Sequence, residues 1–336
     1  MHPAIRLASI FFTGVLFLAL VAFVPGSSAQ DALTPLVPPA PPPPPGQSAA
    51  PGHVIKANVD LVVLHVSVAD AHGQPVPNLN QDNFHVYENN VEQKISLFSS
   101  ADIPVTMGLV IDNSASMKEK RAQVNAAALT FVRTSNPQDE AFVVNFNDEY
   151  YLDTEHDFTS DINELNDALS RIEARAGTAL YDAVIGSLGH VKKGHKDKRV
   201  LLVITDGEDN LSRNTFEQTI HAAQQSDATI YAIGVFSEDD LKNDKKEVRH
   251  AKKALTQLAE ATGGLAYFPP TLEDVTPTCE RAAREIRSQY TLGYYPANAA
   301  KDGTFRALRV QAQSHHGKLS VRSRVGYYAP AGPAAS

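Results

Sequence analysis

The sequence predicts an α/β fold: a doubly wound, mostly parallel sheet inserted in a small β-sandwich built from both flanking segments. Two observations predict the sheet. Five short runs, at 105–111, 141–146, 200–204, 229–235 and 265–268, are apolar on both faces, as strands covered by helices on each side are. Helical patterns at 118–134, 162–173, 179–191, 215–225 and 245–262 fall between them, which gives the strand–helix alternation of a doubly wound fold. A third observation predicts the sandwich. The segments 54–100 and 290–330 both read as β structure with an unfilled apolar face, and neither has enough strands to close a core alone.

The N-terminus sets the compartment. One arginine, Arg6, precedes an almost unbroken apolar run at 7–24, and Ser27-Ser28-Ala29 ends it with small residues. Residues 1–29 therefore read as a secretory signal cleaved after Ala29. The run is nearly as long as the roughly 20 residues that span a bilayer, so an uncleaved N-terminal anchor is the alternative. The expected location is secreted, or periplasmic and cell-envelope. No cysteine lies near the run, which excludes a lipoprotein anchor. Residues 30–53 are a proline-rich linker, including Pro41 to Pro45, a composition that favours extended polyproline II and acts as a semi-rigid spacer.

In the first part of the β-module, 54–100, Val62, Leu64, Val66 and Val68 alternate on one strand face. Phe84 and Val86, then Asn89-Asn90, then 91–98 read as a hairpin. In the second part, 290–330, strands are expected at 290–295, 305–312 and 319–327, with turns at 300–303 and at His315-His316-Gly317. Residues 331–336 are a tail. Between the two parts, 102–289 forms the α/β domain.

The formal charge of −8 argues against a nucleic-acid partner, which normally selects a basic chain. Cys279 is the single cysteine, so no internal disulfide forms, and it reads as a small buried hydrophobe on a helix.

Chemistry concentrates where strands end. Asp112-Asn113-Ser114-Ala115-Ser116 follows the run 105–111, offering one carboxylate and two hydroxyls from one loop. Gly177-Thr178-Ala179-Leu180 adds a hydroxyl, and Thr205-Asp206-Gly207 follows the run 199–204. These are hard oxygen donors of the kind a small divalent cation prefers. Any one segment alone reads equally as an Asx turn, a helix cap or an ordinary Asp-Gly turn; the three together, in doubly wound order, point to a metal.

The three segments resemble the metal-ion-dependent adhesion site of von Willebrand factor type A domains, and the resemblance covers 102–289. It implies that Ser114 and Ser116 bind a magnesium (or manganese) ion directly. Thr178 would engage directly in the high-affinity arrangement, while Asp112 and Asp206 hold metal-bound waters. The whole chain is similar to bacterial secreted proteins related to von Willebrand A domains, through Asp82-Asn83-Phe84-His85-Val86-Tyr87-Glu88 and Arg324-Val325-Gly326-Tyr327-Tyr328.

Neutral hydroxyl ligands leave much of the cation's charge uncompensated, so an outside carboxylate gains strongly by completing the coordination. The expected partner is a protein presenting Asp or Glu, with specificity from a loop surface of Asn113, Met117, Asn147, Glu208 and Asp209. A membrane is a partner only if the N-terminal segment stays uncleaved. Two other functions compete: an assembly protein whose metal fixes the loops, and a metal-assisted hydrolase, for which Glu208 and Asp209 are the only nearby bases. No enzyme activity is expected.

Other constellations fail. Gly189 and Gly194-His195 have P-loop glycine spacing without the Lys-Ser/Thr that would touch phosphate. The acidic stretch 239–250 lacks the glycine and terminal Glu of an EF-hand. His190 and His195 are expected to be solvated, His315-His316 lacks a zinc-protease pattern, and 242–253 reads as a solvated helix face. Asn210-Leu211-Ser212 matches a glycosylation sequon, where a glycan would crowd the site. The helix 272–288 runs directly into the strand 290–295, so a shift of that helix would pull on the sandwich.

Overall fold

The computed structural model describes residues 60–134, 136–171, 177–207, 209–314 and 317–332. The expected signal segment, the proline-rich linker, Glu208, His315-His316 and the last residues of the tail lie outside the described residues.

The central sheet forms where apolar runs are covered on both faces. Its strands are β5 (Val105–Asp112), β6 (Glu140–Phe146), β7 (Tyr150–Leu152), β8 (Lys198–Thr205), β9 (Thr229–Gly234) and β10 (Ala266–Tyr267). They lie in the order β10-β9-β8-β5-β6-β7, all parallel except β7. Alternate residues of β5 feed opposite cores. Met107, Leu109 and Ile111 pack with α1 (Arg121–Arg133), α2 (Ile162–Ser170) and α7 (Val275–Arg287). Val110 packs with α3 (Leu180–Val191), α4 (Phe216–Gln225) and α6 (Lys245–Thr262).

Chain order decides where a ligand can sit. From β5 the chain crosses to β6 on one side, whereas from β8 it crosses to β9 on the other. The loops after β5 and β8 therefore diverge, leaving a crevice at the carboxyl ends of two adjacent strands.

The sandwich uses both flanking segments, as the unfilled faces require. One sheet has the order β13-β1-β11-β4, from Ser320–Arg322, Val62–Ala69, Tyr290–Tyr294 and Ile95–Ser99. The other is β14-β12-β2-β3, from Gly326–Tyr328, Phe305–Ala312, Phe84–Glu88 and Val91–Gln93. Leu64, Val66, Phe84, Val86, Tyr290, Leu292 and Tyr294 fill the space between them. The sandwich and the α/β layers belong to one compact unit, Lys56–Ser336.

Two expected strands are each two. The stretch 91–98 divides at Lys94: β3 completes the hairpin with β2, and β4 pairs with β11 in the opposite sheet. The stretch 319–327 divides likewise, β13 pairing with β1 and β14 with β12. Both divisions carry the chain from an edge of one sheet to an edge of the other, leaving short edge strands, which limits pairing with another chain. The hairpin turn is as its residues predict. Asn89 and Asn90 have φ of 47° and 66°, the left-handed pair that asparagine tolerates in a two-residue turn.

Elsewhere β7 and α5 (Glu238–Asn243) were not evident from sequence, being too short for a periodic signal. The helix expected from 118 begins at Arg121, after a 3₁₀ turn at Ala115–Met117. His190 is not solvated as expected. Its ring packs 4.6 Å from Phe142 and 4.9 Å from Phe158, while His195 is the exposed one, paired with Glu140. Cys279 is fully buried, and burial pushes its thiol up to about 12, so it is an inert core residue.

Candidate functional site

The Asp112 loop is shaped by its own carboxylate. Asp112, the last residue of β5, is fully buried. One oxygen accepts the Ser114 amide at 2.7 Å, the Asx turn that short acidic side chains form after a strand. The other accepts the Thr205 hydroxyl at 2.5 Å, across the β5–β8 crevice. Burial raises its pKa to about 6, with the Asp206 charge a second cause, against the hydrogen bonds from Thr205 and Ser114. Arg121 fastens the strand end from below, donating to the Asp112 and Leu169 carbonyls at 3.2 and 3.3 Å.

From that turn the oxygens run in a line. Ser114 Oγ lies 3.1 Å from Ser116 Oγ, and Ser116 Oγ donates to Asp206 Oδ1 at 2.8 Å. Asp206 follows β8 directly and is buried. Sequence reasoning singled out all four residues, and the fold brings them together. The donor set suits an octahedral ion. Neighbouring oxygens about 2.1 Å from magnesium stand roughly 3 Å apart, the spacing of Ser114 and Ser116 Oγ here. Asn113 Oδ1, in the same loop, is buried without a hydrogen-bond partner.

Thr178 reaches the site from a third loop, and its local structure explains the residues around it. Gly177 donates to Asp148 at 2.6 Å, and Ala179 donates to the Asn147 carbonyl at 2.6 Å. A Cβ at Gly177 would stand 1.9 Å from Leu211 Cδ1 and 2.5 Å from Asp148 Oδ1, so this approach needs glycine. Asn210 brackets the threonine: its side chain accepts the Thr178 amide at 2.9 Å and its amide donates to the Thr178 carbonyl at 3.0 Å. The sequon asparagine is thus a scaffold for the site. The Thr178 hydroxyl lies beside Gly207, 3.7 Å from where a Cβ would stand, next to Asp206 in the chain.

The loop surface expected to confer specificity is corrected. Asn113, Met117 and Asn147 are all buried, Met117 completely. Met117 anchors the loop in the core and cannot face a partner. Asp209 is half-buried and tied to the Tyr181 amide at 3.1 Å and to Ser212.

Sequence reasoning missed Lys120. Its ammonium is buried and donates to Asp206 Oδ2 at 2.5 Å, Asp240 Oδ2 at 3.1 Å and the Val235 carbonyl at 3.3 Å. It lies four residues beyond Ser116, after the 3₁₀ turn and immediately before α1. No three His, Cys, Asp or Glu side chains among the described residues cluster to hold a metal. The candidate donors here are two carboxylates and three hydroxyls.

Residues 107–208 match the von Willebrand factor type A domain family. The matched segment runs from within β5 through Asp206, so it contains the Asp112, Thr178 and Asp206 loops. No curated protein matches the chain. Solved structures that resemble it include the von Willebrand domain of the type V pili tip protein Mfa5 from Porphyromonas gingivalis. That likeness has 14% identity and a TM-score of 0.47, over 55% of this chain and 96% of that one. The PilB minor pilin from Streptococcus sanguinis aligns at 10% identity and TM-score 0.45, over 56% and 63%. Proximal thread matrix protein 1 from the mussel byssus, with a zinc-occupied adhesion motif, aligns at 15% and 0.46, over 59% and 49%.

Proposed function

We propose that the loops after β5 and β8 hold a divalent cation, magnesium or manganese, and that this protein captures an Asp or Glu side chain of a partner protein through it. The observation that carries the reading is the line of oxygens from Ser114 through Ser116 to Asp206, spaced 3.1 and 2.8 Å at the crevice where the sheet's crossovers diverge.

Ser114 and Ser116 would hold the ion through their hydroxyls, with Thr178 added from its bracketed loop. Asp112 and Asp206 would grip bound water. Asp112 suits that outer role because both its oxygens already accept hydrogen bonds from Ser114 and Thr205. The ion, when bound, supplies residual positive charge and a coordination position that a carboxylate can fill. Binding is favoured over hydrolysis by Asp209, whose carboxylate is engaged by Tyr181 and Ser212 rather than free to act as a base. We set the protein in the secreted or envelope space on the strength of the apolar run at 7–24. Among the described residues no helix is long and apolar enough to cross a membrane.

Isothermal titration of the intact protein with magnesium and with manganese tests the reading. Uptake of one ion, with the fold unchanged in chelator, is expected. No uptake by the folded protein would sink it, and unfolding in chelator would move the metal to a loop-fixing role.

A further inference from the structure

We infer that Lys120 is a tethered counter-cation for this site, holding Asp206 in place when no divalent ion is present and opposing the ion's entry. The inference rests on the metal reading above and adds to it a residue that the oxygen-donor motif does not contain.

The geometry is that of a dedicated ion pair. The Lys120 side chain is only 7% exposed and that of Asp206 only 1%. Lysine is rarely buried so deeply unless paired. Asp206 divides its oxygens between two tasks. Oδ1 accepts from Ser116, on the side of the hydroxyl line, and Oδ2 accepts from Lys120. The ammonium therefore fixes the carboxylate's rotation and presents Oδ1 to the site.

The electrostatics favour such a cation beside Asp206. Asp112 and Asp206 are both buried and face each other across the crevice. Two like charges in a low-dielectric site repel strongly unless a positive charge intervenes. Lys120 provides one from within the chain. A divalent ion entering beside Asp206 must then share that carboxylate with a fixed positive charge, so affinity is lowered. Lys120 also has other partners. Asp240, at the start of α5, lies 3.1 Å away, and the Val235 carbonyl completes a three-acceptor cradle. These ties join the loops after β5, β8 and β9.

Lys120→Met tests the inference by two readouts, the melting temperature in chelator and the metal affinity from calorimetry. Saturating magnesium should raise the melting temperature of the wild type less than that of Lys120→Met. Lys120→Met should melt lower in chelator, recover in magnesium or manganese, and bind the ion about tenfold more tightly or better. Equal melting behaviour and equal metal affinity in both proteins would overturn the inference while leaving the metal site standing. Absence of uptake by both would overturn the site and the inference together. Should Lys120→Met not fold, the double variant Lys120→Met with Asp206→Asn decides. Recovery to the stability of Asp206→Asn alone supports the counter-cation role, and no recovery refutes it.

Discussion

Glu285 of α7 is ion-paired with Arg322 of β13, so the last helix of the α/β layers is fastened to the sandwich by a charge. The same carboxylate accepts from Ser67 of β1 at 3.2 Å, Tyr231 of β9 at 3.2 Å and Tyr267 of β10 at 2.9 Å. Two residues on, Arg287 pairs with Asp102 and Asp139, and Lys198 caps the Ile286 carbonyl. Gln289, between α7 and β11, donates to Ser67 and Tyr231.

Glu285→Ala should lower unfolding stability by on the order of 3 kcal/mol, because Arg322 and two tyrosine hydroxyls lose their acceptor in a partly buried site. Glu285→Gln keeps an acceptor oxygen and should cost less. Urea unfolding of both variants measures the difference, and an Ala variant as stable as wild type would show the hub to be dispensable.

Because α7 is tied at several points, it should move with the sandwich rather than slide past it. Spin labels at Arg284 and Ala307, both exposed, report that distance. An unchanged distribution with and without manganese-free magnesium is the expected result. A shift would instead reveal a switch that pulls on the sandwich.

Ser116→Ala removes the hydroxyl that joins Ser114 to Asp206. Magnesium affinity should fall about tenfold or more, as for loss of a ligand or of the group that orients one. The melting temperature in chelator should stay close to wild type, since the side chain lies at the site and not in the core. Calorimetry and a thermal melt on one preparation separate the two effects.

Gly263 ends α6 with φ of +85°, and a Cβ there would stand 2.4 Å from the Arg324 backbone nitrogen. Gly263→Ala combines left-handed strain of about 1–2 kcal/mol with a clash against the segment joining β13 to β14. A loss of at least about 2 kcal/mol in chemical denaturation is expected; a milder effect would mean that segment can yield.

His65 should contribute to acid sensitivity. Burial, then the charges of Lys198 and Arg324, lowers its pKa from 6.5 to about 3. The unfolded chain takes up a proton near pH 6.5 that the folded chain refuses until about pH 3. Its contribution to stability is therefore complete above pH 6.5 and lost progressively as pH falls towards 3. His65→Asn, which does not titrate, should show a smaller drop in melting temperature between pH 7 and 4.5 than wild type. Equal drops would assign the acid sensitivity elsewhere.

Most of the elements were legible because periodicity is local. The runs at β5, β6, β8 and β9 announce a covered parallel sheet, and the Asp112 and Asp206 loops follow from where those runs end. Illegible features were those whose cause lies far off in the chain. Nothing near Lys94 or Ser323 says that a strand must leave one sheet for the other; the partners that draw the halves apart, β11 for β4, β1 for β13 and β12 for β14, lie far off in the chain or in the other sheet. Met117 and Asn147 look like loop residues and are buried because the core lies beneath their turns.

By itself the sequence determined the α/β class, the two-part sandwich and the oxygen-rich strand ends, since apolar pattern and turn chemistry are written in neighbouring residues. Tertiary structure alone decided that Lys120 lies against Asp206, and that Glu285 binds the sandwich. Such charge pairs join residues far apart in sequence, and only packing brings them within reach and excludes the water that would otherwise screen them.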